Sequence, residues 1–198
     1  DFDQVAAPVV AIADASGIQS GLLDGPVLRI DDLYRILPYA DSVYASFLTP
    51  IELLTLLESN AARILPREAL SSRGGPIDVT DWARIARGFL HFSGNLRYSI
   101  RRDAAGNGVD GILLQGAPLL SYREDQKILV LCNSFSAMGN QGWGAADDEN
   151  FREFRSVSMP AMGFEDLGTP YRQRVITALQ EIGQVDVRKD GRLVVTTG

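Results

Sequence analysis

One histidine, one cysteine and three methionines are all that a chain of 198 residues offers to soft-metal or imidazole chemistry. A lone Cys132 cannot close an internal disulfide, so the cysteine usage says nothing of redox compartment. A lone His91, set between aromatic and apolar neighbours, is more often a packed or surface residue than a ligand, and it cannot supply a dinuclear metal site. No G-x-S-x-G elbow, no Asp-x-His and no Gly-Asn-His-Asp or Gly-Asn-His-Glu run is present, so neither an α/β-hydrolase nor a metallophosphoesterase centre is written in this sequence. Apolar runs long enough to cross a bilayer are missing, as are a signal peptide, internal repeats and low-complexity tracts. Positive charge is also short: 19 basic against 25 acidic residues leave a net charge of −6, which excludes an extended anionic surface or nucleic-acid backbone as partner.

What is present is enough for one sizeable core, since 45% of the residues are hydrophobic and the chain has the length of a single domain. Ile30–Asn60 is the densest stretch. Asp31 is expected to cap a short helix that Pro38 stops, because the residue before proline is pushed out of the α region. Val43–Leu48 is rich in β-formers and reads as a strand. Thr49-Pro50-Ile51-Glu52 is a capping box with proline at the first helical position, followed by Ile51, Leu54, Leu57, Ala61 and Leu65 at helical spacing.

Further along, Phe89–Arg101 reads as a half-exposed strand whose end sets Leu96, Tyr98 and Ile100 on one face. Residues 104–108 read as a turn, Val109–Leu114 and Lys127–Cys132 as strands, and Asn133–Asn150 as a loop. Thr169-Pro170 opens a last helix carrying Tyr171, Val175, Ala178, Leu179 and Ile182 and closed by Gly183. Val185–Lys189 and Arg192–Thr196 around Asp190-Gly191 carry a two-residue hairpin signal. Strands and helices are thus mixed with several antiparallel pairs, which points to an α+β domain. Gly106 to Gly111 satisfies G-x-G-x-x-G but lies between strand patterns and opens no helix, so the turn reading is preferred. The acidic run Asp147-Asp148-Glu149 reads as a solvated loop.

Several of these motifs occur together in one family. The Leu37-Pro38-Tyr39 turn, the following strand and Thr-Pro helix start, Phe92-Ser93-Gly94 before an alternating strand, the Gly116-Ala117-Pro118-Leu119 turn and the loop NSFSAMGNQGWG resemble the C-terminal, substrate-binding domain of the 5′-nucleotidases and 2′,3′-cyclic-nucleotide phosphodiesterases. The resemblance implies a four-layer α/β/β/α fold over residues 1–198 as a single domain. It also implies that the chain, which begins at Asp1, is cut from a longer one whose N-terminal metallophosphoesterase domain holds a divalent metal pair. No cofactor is expected in this chain, and neither a catalytic nor a metal-ligating residue is assigned to it.

By the same resemblance, Tyr39 and Phe135 are the two halves of a clamp on a nucleobase, with Gln19, Asp14, Gly94 and Gln141 offering polar contacts. Read without the family, Tyr39 packs over a helix end and Phe135 fills the core. Three positions depart from the family's pattern: Gln19 stands for an arginine, Asp14 for the first asparagine of Asn-Gly-Gly-Gly, and Gln141 for the aspartate of Gly-Gly-Asp-Gly. A neutral amide cannot fork onto an anion as a guanidinium does, so the departures imply either a different ligand, such as a cyclic nucleotide, or a non-catalytic binding or interaction module that kept the fold and lost the nucleotide. The implied partners are a small nucleoside or nucleotide and the parent's metallophosphoesterase domain, with no nucleic acid and no membrane span. The implied location is periplasmic, cell-surface or secreted. With one histidine, the pure chain is expected to release no phosphate from AMP or a cyclic nucleotide with or without Mn²⁺, Zn²⁺ or Co²⁺. Metal-dependent release that is abolished by His91→Ala would overturn this.

Overall fold

The computed structural model describes residues 7–14, 17–18, 28–61, 89–103, 106–138, 162–184 and 190–197. In chain order the elements are β1 (Val9–Asp14), α1 (Ile30–Ile36), β2 (Ser42–Leu48), α2 (Pro50–Ala61), β3 (Leu90–Phe92), β4 (Leu96–Asp103), β5 (Gly106–Leu114) and β6 (Ala117–Pro118). A short 3-10 turn (Leu119–Ser121), β7 (Ile128–Asn133), α3 (Ser134–Ala137), β8 (Glu165–Pro170), α4 (Tyr171–Ile182) and β9 (Leu193–Thr197) follow. The described strands form two sheets, one ordered β3-β1-β7-β2-β8 and the other β6-β5-β4-β9. Only β1 with β7 and β4 with β9 run parallel, and the remaining pairs are antiparallel. The fold is therefore α+β, as expected from the sequence.

One core spans both sheets. Val10 and Ile12 of β1, Ile128, Val130 and Cys132 of β7, and Leu48 of β2 meet Leu96, Tyr98 and Ile100 of β4, Leu114 of β5, and Leu53, Leu56 and Leu57 of α2. The central strand β7 is apolar from Ile128 to Cys132 because neighbours cover both of its faces. Burial lifts the Cys132 thiol to about 12, so at neutral pH it behaves as a small hydrophobe. Asn60, also buried, acts on β3 as a strand would: its Nδ2 donates to the Leu90 carbonyl at 2.9 Å and its Oδ1 accepts the Leu90 N–H at 2.8 Å. A second, smaller core joins α1 to α4 through Leu33, Ile36 and Ile176.

Several local expectations need correction. Helix α1 starts two residues early, with Arg29 at its N-cap, and the carboxylate that serves it is Asp32, which accepts the Arg29 N–H at 3.0 Å. Asp31 sits exposed in the first turn. On α2 the buried stripe is Leu53, Leu56, Leu57, Asn60 and Ala61, while Ile51 is exposed and Leu54 only half-buried. Pairing with the sheets, and not the first apolar residue after the cap, decides which face turns inward. Leu65 lies outside the described residues. The stretch 89–101 is two strands in different sheets, separated by a turn at Ser93–Asn95. Residues 106–108 already belong to β5 and not to a turn, and positions 104 and 105 lie outside the described residues. On α4 only Ile176 is buried, and Ala178 and Ile182 face solvent, although Gly183 does close the helix at φ 73°. Strand β9 pairs parallel with β4, and the other arm of the proposed hairpin lies outside the described residues.

The capping box forms as the sequence requires. Thr49 N–H donates to Glu52 Oε2 at 2.7 Å, Thr49 Oγ1–H donates to the same oxygen at 2.8 Å, and the Glu52 N–H donates to Thr49 Oγ1 at 3.3 Å. The backbone bond from Thr49 is the first cause of a lowered Glu52 pKa, and the hydroxyl bond is the second. A lowered folded-state value means that this stabilisation is complete above the unfolded carboxylate's pKa and is lost as pH falls through the folded one. Thr49→Ala is expected to cost about 1 kcal/mol in denaturant melts at neutral pH, with a smaller penalty in acid. An unchanged midpoint at neutral pH would show that the box does not start the helix.

Candidate functional site

The strand directions gather four chain segments at one edge of the five-stranded sheet. Because β1 and β7 are parallel, Asp14 and Asn133 end them side by side. Strand β2 runs against β7 with Val43 opposite Asn133, so the α1–β2 connection enters at the same edge. Strand β8 runs against β2 with Pro170 opposite Ser42, which delivers the first turn of α4 there as well. Between them opens a cleft lined by Ala13, Asp14, Gly17, Ile18, Leu37, Tyr39, Asp41, Asn133 and Tyr171. Carboxyl ends of parallel strands leave such crevices where the neighbouring connections diverge.

Each wall has a local cause. Val10, Ile12 and Asp14 share one face of β1 at period two, so Asp14 continues the core-facing row just where the core gives way to the cleft, and it is 2% exposed. On the opposite side, Pro38 stops α1 and turns Tyr39 outward, where its side chain is 49% exposed. Asp41 fastens this wall to the floor: its Oδ2 accepts from Asn133 Nδ2 at 2.9 Å, its Oδ1 from the Ser134 hydroxyl at 2.6 Å, and its main-chain carbonyl from the Tyr171 N–H at 2.8 Å. Asn133 in turn caps α3 by accepting the Ser136 N–H at 3.0 Å. Burial, and then the negative charge of Asp41, raises the pKa of the Tyr171 hydroxyl, keeping it neutral.

The six residues singled out from the sequence have different fates. Tyr39 and Asp14 line the cleft together. Phe135 is half-buried on α3, two residues beyond Asn133, and is not among the lining residues. Gly94 lies elsewhere. With Ile12 opposite Phe92, it falls level with Val10, four residues back along β1 from Asp14, or roughly 13 Å at strand rise. Its surroundings explain the glycine without a ligand, since a Cβ there would come within 3.3 Å of Asp190 Oδ2 and 3.5 Å of the Arg192 guanidinium carbon. Gln19 and Gln141 lie outside the described residues.

Sequence reading missed Asp41, Asn133 and Tyr171. The signals were present, as an acid two residues after the exposed tyrosine, an amide ending an apolar strand and an aromatic after Thr-Pro, but only the strand order brings them together. His91 is outside the cleft: it stacks edge-on against Phe89 at 5.5 Å, and desolvation lowers its pKa, with Asp14 opposing and Arg192 adding to the effect. Among the described residues no group of three or more His, Cys, Asp or Glu side chains is placed to hold a metal ion. No described helix is long and apolar enough to cross a membrane.

Known proteins share this architecture. The structure of a 5′-nucleotidase precursor from Thermus thermophilus is similar with a TM-score of 0.63 at 22% identity, covering 94% of this chain and 31% of that one. An NAD nucleotidase of Haemophilus influenzae gives 0.62 at 16% identity over 100% and 31% of the two chains. A 5′-nucleotidase of Staphylococcus aureus solved with α-ketoglutarate gives 0.60 at 13% identity over 96% and 33%. The chain thus spans about a third of the length of these relatives, and at such identities the likeness concerns the fold. No curated protein matches it significantly. The sequence profile of the 5′-nucleotidase C-terminal domain, however, matches residues 2–148, most of the chain, and with the two-sheet fold this identifies the chain as a member of the 5′-nucleotidase C-terminal domain family.

Proposed function

We propose that this chain is the substrate-recognition domain of a secreted or periplasmic nucleotide-hydrolysing metallophosphoesterase, and that its cleft receives the nucleobase or nucleoside part of the substrate. The observation that carries this reading is the half-exposed ring of Tyr39 on the wall of a cleft whose lining also holds the amide of Asn133 and the carboxylates of Asp14 and Asp41. A flat base stacks on an exposed ring whatever its sequence of polar groups, and such a contact is worth ~1–3 kcal/mol. Asp14 and Asn133 at the floor and Asp41 beside them supply polar groups to the cleft. Phe135, near the same edge on α3, serves as the second ring once a base is bound. Chemistry belongs to the parent's metallophosphoesterase domain, with its metal pair, and not to this domain.

A second reading is favoured by one specific observation. Among the described residues two aspartates and no lysine or arginine line the cleft, which disfavours the phosphate of a nucleotide. On that reading the domain is a binding module that kept the fold and lost nucleotides. Calorimetric titration with adenosine and AMP separates the two. The proposed function expects adenosine to bind, AMP to bind no more tightly, and Tyr39→Ala and Phe135→Ala each to remove ~1–3 kcal/mol of binding while costing well under the ~3–5 kcal/mol of an emptied core phenylalanine. Absence of adenosine, uridine and monophosphate binding would sink the clamp and leave the binding module.

A further inference from the structure

We infer that Arg172 is the positioning residue for the Tyr39 wall of the cleft, acting through the main chain that carries the ring. Among the described residues the Tyr39 side chain has no hydrogen bond, so its placement depends on the backbone of the Leu37–Tyr39 turn. Arg172, the second residue of α4, holds that backbone. One of its terminal nitrogens donates to the Tyr39 carbonyl at 2.9 Å and reaches the Pro38 carbonyl at 3.4 Å, while the guanidinium carbon lies 4.1 Å from the centre of the Tyr34 ring on α1. The preceding residue, Tyr171, fixes the next part of the same segment through its N–H bond to the Asp41 carbonyl. Two consecutive residues of α4 therefore clamp residues 38–41, and only one of them does so with a replaceable side chain.

The chemistry suits arginine specifically. A planar guanidinium can stack its face on a ring while its edge donates in the plane, whereas an ammonium cannot do both from one position. Arg172 Nε is buried and has no hydrogen-bond partner among the described residues, an unfavourable arrangement tolerated only because stacking and carbonyl bonds fix the group where it is. The small α1–α4 core of Leu33, Ile36 and Ile176 holds the two helices together and packs Leu37, while the side-chain hydrogen bonds to the Pro38 and Tyr39 carbonyls come from Arg172. Arg172 converts that helix pairing into a fixed direction for Tyr39.

This inference rests on the base-clamp reading for its consequence in binding, and its test is arranged so that the two can fail separately. With adenosine as probe, Arg172→Ala is expected to weaken binding on the order of tenfold, within the range found for coupled contacting residues, and Arg172→Lys to recover only part of it. In a Tyr39→Ala background Arg172→Ala should change nothing further. Equal losses with and without the Tyr39 ring would overturn the inference, because a general structural role is additive. The ligand-free measurement is the ¹⁹F spectrum of 3-fluorotyrosine incorporated at position 39. Arg172→Ala should shift or broaden that resonance and leave a label at the buried Tyr98 unchanged. An unaltered resonance at position 39 overturns the positioning role, and failure of the wild-type chain to bind adenosine overturns only the base clamp.

Discussion

Asp41 is the joint on which the cleft depends. With three acceptor atoms it ties the end of β7, the start of α3 and the first turn of α4 to the connection that presents Tyr39. Hydrogen bonds to a charged acceptor contribute about 1.5–3 kcal/mol each, roughly twice a neutral one, and the two donors, Asn133 Nδ2 and the Ser134 hydroxyl, also spread the carboxylate's charge. The same arrangement explains why Asn133 is an amide. It must donate to Asp41 and accept from Ser136 at once, which neither a carboxylate nor a hydroxyl of that length does in a fixed geometry.

Behind this joint the molecule is unequally rigid. The floor of the cleft, made by the ends of β1 and β7, grows directly out of the main core, where close packing leaves little freedom to shift. The Tyr39 wall belongs to the small α1–α4 core, three buried residues supported by Leu28, Leu37 and Leu179. Local opening is easiest where few apolar contacts are buried, so the wall, resting on the smaller core, depends the more on the bonds that Arg172 and Tyr171 make to residues 38–41.

How much of this was legible in the sequence depended on range. Patterns closed within a few residues were read correctly, as with the Thr49–Glu52 box, the Leu96, Tyr98 and Ile100 face, and the Gly183 stop. The face of α2 was misread because Ile51 and Leu54 fit a helical period as well as Leu53 and Leu56 do, and only contact with both sheets chooses between the two. The parallel β4–β9 pairing had no local signal at all, and neither did the meeting of Asp41, Asn133 and Tyr171, which are 130 residues apart at the extremes but adjacent through strand order. Gly94 shows how a family-like motif can sit away from this cleft: it lies against Asp190 and Arg192, which form a 2.8 Å ion pair.

The charges around the cleft bear on what it can recognise. Asp14 and Asp41 are acidic, and Arg172 holds the Pro38 and Tyr39 carbonyls with one terminal nitrogen and lays its face on the Tyr34 ring. A cation so committed cannot also turn to receive a phosphate without releasing the turn that holds Tyr39. On the proposed reading, binding here comes from stacking and short-range hydrogen bonds, which salt screens little, and not from long-range attraction of an anion, which salt weakens strongly. On the proposed reading the phosphate-handling part of the chemistry lies outside this cleft, and the orientation of Tyr39, held by Arg172, is the variable on which recognition turns.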